Sequence, residues 1–330
     1  MRLLVLGGTK FVGRHFVEAA LGRRHEVTLF NRGRTAPGLF PGIETIPGDR
    51  DGGLGALAGR TWDAVFDPGG YVPRLVAASA AALAGRVGFY AFVSSISVYA
   101  TPLAPGSDES APLATLADPT TEVVSGGTYG ALKAACEREV VRAFAERALL
   151  VRPGLIVGPH DPTDRFGYWP RRLSRGGDVL VPGVPGQPVQ LIDARDLAAW
   201  SLGMIERGSG GTFNATGPAE PLTFRGLIES AAHALGVTPR LVWVDGGFLL
   251  ERGVEPWTEL PLWVPAGEEG MDEVSVGRAR ANGLSYRPIA DTVRDTLAWD
   301  IARPDAAREG SRALRPAREA ELLAQWRGRG

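Results

Sequence analysis

Seven residues near the start of the chain, Gly7-Gly8-Thr9-Lys10-Phe11-Val12-Gly13, constrain its fold more than any other stretch. They follow a short apolar run, Leu3 to Leu6, and lead into a helical pattern from Val12 to Leu21. A strand that turns directly into a helix needs glycine at the tight corner. The turn also places the helix's unpaired amide groups and positive dipole end beside that corner. A phosphate suits such a place, because a pyrophosphate can approach a glycine backbone closely and meet the helix N-terminus. Strand before and helix after is the context that separates a dinucleotide-binding turn from an ordinary strand–helix joint.

Past the turn, short apolar runs keep alternating with helical patterns, which predicts a parallel sheet covered on both faces. Strands are expected at Glu26–Phe30, Glu44–Ile46, Ala64–Phe66, Phe89–Ser94 and Leu149–Arg152, with helices at Leu75–Leu83 and Tyr129–Glu146. Right-handed crossovers between such units give an α/β fold with a doubly wound parallel sheet of the Rossmann type. After Pro153 proline, glycine and tryptophan become frequent, which predicts a smaller, loop-rich C-terminal substrate lobe. The expected division is a dinucleotide-binding domain over 1–158, with residues 159–186 and 218–330 forming the lobe and tail. The sheet would be completed by about 187–217, where Val189–Ile192 and Thr212–Asn214 return to it. The tail from Ile301 holds seven arginines against four acids and is expected to be an exposed, solvated helix ending near Trp326.

The end of the second strand indicates which dinucleotide is bound. NAD sites place an acidic residue there to grip the ribose 2′-hydroxyl. Here the strand ends in Asn31-Arg32-Gly33-Arg34, with no acid. Asn31, Arg32 and Arg34 suit the extra 2′-phosphate of NADP, and Lys10, in place of a middle glycine, can reach phosphate as well. Asp49 follows the third strand, where a carboxylate can accept from the adenine amino group. Gly7, Thr9, Lys10, Phe11, Val12 and Gly13 complete the expected cofactor contacts along the turn.

A second constellation carries chemistry. Tyr129 and Lys133 stand at i and i+4 on one helix face. A free phenol with a pKa of ~10 is a poor base near neutrality, and an adjacent ammonium pulls that value down. Upstream, Phe92-Val93-Ser94-Ser95-Ile96-Ser97-Val98-Tyr99 brings hydroxyls to the C-terminal edge of a strand, where open α/β sheets bind ligands.

Together with Arg152-Pro153-Gly154-Leu155-Ile156-Val157-Gly158-Pro159 and Ile192-Asp193-Ala194-Arg195-Asp196-Leu197, these motifs resemble the extended and atypical short-chain dehydrogenase/reductases, the NAD-dependent epimerase/dehydratase family. The resemblance runs from residue 1 to about 217 and weakens beyond. It implies an oxidoreductase or epimerase in which Ser95, rather than Ser94 or Ser97, orients the substrate oxygen and Tyr129 is the acid/base. It further implies that Lys133 holds the nicotinamide ribose and tunes Tyr129, while Pro153 to Ile156 line the nicotinamide. Cys136, one turn beyond Lys133, is read as packing. Dehydratases of the family carry an Asp-Glu pair where this chain has Ile96 and Ser97. Nucleotide-sugar enzymes carry an asparagine where it has Leu155 and an arginine where it has Val189. A small carbonyl or hydroxyl substrate is therefore expected, neither dehydrated nor a nucleotide sugar. The Lys10 variant of the turn also resembles chloroplast RNA-binding proteins of this fold. An NADP-binding regulatory or RNA-binding protein without catalysis is the alternative.

Charge bears on that alternative. With 36 basic and 37 acidic residues the net charge is −1, so no global field favours nucleic acid or an anionic membrane. One cysteine and no apolar run of spanning length predict a cytoplasmic protein, and four scattered histidines suggest no metal site. The small apolar residues of the Leu75–Leu83 and Tyr129–Phe144 helices suggest a homodimer. In the lobe, His160, Asp161, Arg165, Tyr168, Trp169, Arg171 and Arg172 are candidates to clamp a carboxylate or phosphate, with a solvated surface as the alternative. The segment Pro256–Pro265 is a candidate aromatic lid, in a region made acidic by Glu251, Glu255, Glu259, Glu268, Glu269 and Asp272.

Overall fold

The computed structural model describes residues 1–265, 271–304 and 312–329. Its first elements are β1 (Arg2–Leu6), α1 (Phe11–Gly22), β2 (Glu26–Asn31), β3 (Glu44–Pro47), β4 (Trp62–Asp67), α2 (Pro73–Leu83), β5 (Val87–Val93), α3 (Tyr129–Phe144) and β6 (Ala148–Arg152). Then come β7 (Leu155–Val157), α4 (Tyr168–Ser174), β8 (Asp178–Pro182), β9 (Leu191–Asp193), α5 (Ala194–Glu206), β10 (Gly211–Asn214), α6 (Phe224–Ala234), β11 (Arg240–Val244) and α7 (Gly246–Glu251). The chain closes with α8 (Gly277–Ala281), α9 (Ile289–Ala302) and a last helix, α10 (Pro316–Arg327).

Seven strands form one parallel sheet in the order β10-β6-β5-β4-β1-β2-β3, reversing direction at β1 as a doubly wound sheet does. Side-chain alternation explains why both faces are covered. Leu3 and Val5 of β1 join a core with Phe16 of α1 and Leu197 of α5, whereas Leu4 and Leu6 join one with Val76 of α2 and Phe144 of α3. A strand apolar on both faces has to be sandwiched, and the helix pairs α1/α5 and α2/α3 do this. All strand C-termini then open on one edge, where the glycine turn, Ser95 and Tyr129 lie.

The later elements depart from expectation in two places. Thr212–Asn214 does enter the main sheet, as β10 beside β6, but Val189–Ile192 does not. That segment contributes β9, which pairs with β7 in a separate two-stranded sheet. The preceding Pro188 lacks an amide hydrogen, and the Val189 amide is taken by the Leu222 carbonyl at 2.9 Å. The tail helix is also no simple solvated face. Within α10, Leu322 and Leu323 are buried, Trp326 meets Phe248 at 4.9 Å, and Glu319 accepts from Arg172 at 2.6 Å. These contacts belong to a separate hydrophobic cluster built on Trp169, Phe224, Phe248 and Trp263. Among the described residues no helix is long and apolar enough to cross a membrane, and no group of three or more His, Cys, Asp or Glu could hold a metal ion. Glu268 and Glu269 lie outside the described residues.

Candidate active site

A cleft of about 1490 Å³ runs along the strand C-termini from the glycine turn to the loops around Arg165 and Trp257. At its first end Gly7 and Gly8 have φ of +123° and +89°. A side chain at Gly8 would strike Leu29 at 2.7 Å, so the turn needs glycine there for space and for conformation. Lys10 caps α1 without a side-chain hydrogen bond, so no side chain occupies the first amide groups of the helix. Thr9, Phe11, Val12 and Gly13 line the cleft beside them.

Asn31, expected as a phosphate contact, has another task. Its amide donates to the Gly7 carbonyl at 3.1 Å, and its Oδ1 accepts from the Gly33 amide at 2.8 Å. Both ends of the side chain hold the two loops together, and Asn31 also lines the cleft. Arg32 and Arg34 stay exposed on the rim, and Arg32 approaches Asp49 at 3.7 Å.

At the other end, Ser95 closes a short 3₁₀ turn by accepting from the Ser97 amide at 3.1 Å. Helix α3 begins at Tyr129 and presses so tightly on this turn that a Cβ at Gly130 would sit 1.9 Å from the Ser97 carbonyl. Glycine after the tyrosine therefore lets the start of α3 pack against the turn that carries Ser95. Burial pushes the Tyr129 phenol above its ordinary pKa, and the nearby Ser95 hydroxyl opposes that shift. Lys133, 2% exposed, donates to the Gly70 carbonyl at 2.8 Å and the Val93 carbonyl at 2.6 Å. Burial pushes its pKa down to about 8. The net shift of Tyr129 is upward, and the Arg165 charge acts against it. Cys136 is buried, and its thiol is pushed up to about 12 by that burial, as packing requires.

Pro153, Leu155 and Ile156 line the cleft where the chain leaves β6, and Val189 is buried away from it. Of the lobe candidates, Asp161 and Arg165 reach the cleft. Arg171 is held by Asp164 at 2.5 Å and Asp300 at 2.9 Å, and Arg172 by Glu319 and two carbonyls, so neither is available as a clamp. Tyr168 and Trp169 are core residues. His160 packs beside His15 and Trp299, with its pKa pushed down to about 4 by burial and by Arg14. Trp257 lines the cleft while Trp263 is buried behind it, so half of the proposed lid is wall and half is core.

Sequence reasoning missed Tyr71, whose ring lies 6.3 Å from Tyr129, and a polar group beneath the cleft. There Asp67 accepts from Arg50 at 2.5 Å and Tyr90 at 2.8 Å, bracing the turn that supplies the Gly70 carbonyl to Lys133. An aspartate ending an otherwise apolar strand, Ala64-Val65-Phe66-Asp67, was the available signal.

The profile of the NAD dependent epimerase/dehydratase family matches residues 71–216, the stretch that holds Ser95, Tyr129, Lys133 and Pro153. Over that stretch the chain is similar to members of the family. It is 28% identical over 257 residues to chloroplast stem-loop binding protein of 41 kDa b from Arabidopsis thaliana, covering 71% of this chain and 63% of that protein. It is 29% identical over 250 residues to 2′-dehydrokanamycin reductase from Streptomyces kanamyceticus, covering 72% and 67%. The chain thus spans a little under two thirds of the first of these relatives. Among solved structures, UDP-glucose 4-epimerase of Thermus thermophilus in complex with NAD superposes with a TM-score of 0.65 at 20% identity, covering 92% of this chain and 100% of that one. UDP-N-acetylglucosamine 4-epimerase of Bacillus cereus gives 0.67 at 16%, covering 91% and 99%. These two likenesses establish the fold. The cleft fits the nicotinamide dinucleotide that the family uses. The glycine turn has no room for a β-carbon at Gly8, α1 has no capping side chain, and the buried Ser94 hydroxyl beside Ser95 has no partner among the described residues.

Proposed function

We propose that this chain is an NADP-dependent reductase, dehydrogenase or epimerase acting on a small carbonyl or hydroxyl substrate that is not a nucleotide sugar, in the cytoplasm. One observation carries the reading: Ser95, Tyr129 and Lys133 line the same cleft as the glycine turn. The bound nicotinamide would supply or accept the hydride. Tyr129 would give its phenolic proton to a carbonyl oxygen, or take one from a hydroxyl, while Ser95 donates a hydrogen bond to the same oxygen. Lys133, fixed on two backbone carbonyls, would hold the ribose with its remaining donor. The phosphates would lie against residues 7 to 13, with Lys10, Arg32 and Arg34 reaching the 2′-phosphate from the rim.

The named activity of 2′-dehydrokanamycin reductase supports hydride transfer. The chloroplast stem-loop binding relative supports a second reading, an RNA-binding protein, which a net charge of −1 disfavours. The variant Tyr129→Phe separates the two. Turnover of a carbonyl panel, followed by NADPH absorbance, is expected to fall by about 10²–10⁴-fold with cofactor affinity unchanged. Full activity in that variant removes the mechanism.

A further inference from the structure

The substrate end of the cleft contains a cation with no ion-pair partner among the described residues. Arg303 pairs with Asp164 and Asp300, and Arg312 with Glu255 at 3.0 Å. Arg165 differs from both. Its one hydrogen bond is from Nε to the Thr163 hydroxyl at 3.1 Å, and it makes no ion pair among the described residues. That bond fixes its direction. Thr163 donates its own proton to Asp161 Oδ1 at 2.6 Å, which turns its lone pairs toward Arg165. The chain Asp161–Thr163–Arg165 holds the guanidinium by its inner nitrogen and leaves both terminal nitrogens without a partner among the described residues, on a residue that lines the cleft.

The neighbouring acids do not neutralise it. Asp164 and Asp300 are matched by Arg171 and Arg303. Asp161 and Asp272 line the same space, and burial raises both carboxyls, Asp272 to about 6; Asp161 feels the Arg165 charge but meets it only through Thr163. The guanidinium also acts on Tyr129 across the cleft. A planar fork with two open nitrogens matches the two oxygens of a carboxylate or phosphate.

We propose that Arg165 binds an oxyanion group of the substrate, a carboxylate or a phosphate, beside the carbon whose oxygen Ser95 and Tyr129 hold. This substrate class rests on the catalytic reading given above, and the test separates the two. Oxalate and inorganic phosphate are titrated calorimetrically into the full chain saturated with NADPH, so that the glycine turn is already filled and cannot take the anion. At least one is expected to bind, to weaken about tenfold or more (~1.4 kcal/mol) in Arg165→Gln, and to recover in part in Arg165→Lys. Binding is expected to persist in Tyr129→Phe, and an unchanged melting temperature shows that each variant folds. Absence of anion binding in the parent chain, or equal binding in Arg165→Gln, overturns the proposal.

Turnover of matched pairs then identifies the oxyanion: pyruvate against methyl pyruvate, and dihydroxyacetone phosphate against dihydroxyacetone. The charged member of one pair is expected to lead in kcat/KM by about tenfold, and Arg165→Gln to erase that lead. Anion binding that depends on Arg165 without turnover of any carbonyl would sink the catalytic reading and leave the anion site standing. Turnover without charge preference would do the reverse.

Discussion

Lys133 is a charge buried within the site. It is 2% exposed and still satisfies two carbonyls, which a neutral amine can do as well as an ammonium. Its pKa falls from 10.5 to about 8 on folding, because burial disfavours the charge. Between those values the folded chain binds fewer protons than the unfolded one, so the Lys133 contribution to stability rises with pH across that window. Below about 8 both states are protonated and the burial penalty is fully present. Urea unfolding is therefore expected to show the native chain gaining up to about 3 kcal/mol relative to Lys133→Met as pH is raised through this range. A flat difference between the two chains would show that Lys133 is not desolvated as described. At this scale the sequence was legible where chemistry follows from spacing. Tyr129 and Lys133 at i and i+4 had to share a helix face, and Ser95 had to end a strand. It was not legible where a side chain has two plausible partners: nothing local reveals that Asn31 serves the Gly7 carbonyl, or that Asp164 and Asp300 hold Arg171.

Helix α3 is fixed at its start and at its middle. Gly130 lets its start press on the Ser97 carbonyl. One turn past Lys133, Glu137 pairs with Arg152 of β6 at 2.7 Å and 2.9 Å, both side chains being buried. Arg152→Leu strands a buried carboxylate and is expected to destabilise the chain by about 3–5 kcal/mol. The double change Arg152→Leu with Glu137→Leu is expected to recover most of that loss, as read from urea midpoints. At the end of β2 the prediction concerns affinity. Isothermal titration is expected to show NADP(H) bound at least about tenfold tighter than NAD(H), ~1.4 kcal/mol, with Arg32→Ala removing most of the difference. Equal affinities in the parent chain would end the NADP assignment. Elements of the first half were readable because the central strands β1, β4, β5 and β6 are apolar on both faces. Segment 189–193 was not, because a short apolar run looks the same in a main sheet and in a two-stranded satellite.

Across the whole molecule, one seven-stranded sheet carries the glycine turn and the hydroxyl pair along a single edge, while a separate hydrophobic cluster supports the cleft's far wall. The outer side of the α2/α3 layer exposes Ala78, Ala81 and Val141, small enough for a close approach between copies. A homodimer through that layer is proposed. Light scattering at micromolar concentration should then give twice the 35.0 kDa chain mass, and the single-chain mass would count against it. The two ends of the cleft also differ in how they meet solvent. Lys10, Arg32 and Arg34 stand exposed at one end, whereas the ion pairs of Arg171 and Arg303 with Asp164 and Asp300 are largely withdrawn at the other. Dissolved salt screens exposed charges over about 10 Å at ~0.1 M and reaches buried ones far less. Ionic strength therefore acts on one end and spares the other. Raising it is expected to erode the proposed discrimination for the extra phosphate while the wall behind the substrate keeps its shape, so salinity would set how sharply the proposed site tells two coenzymes apart.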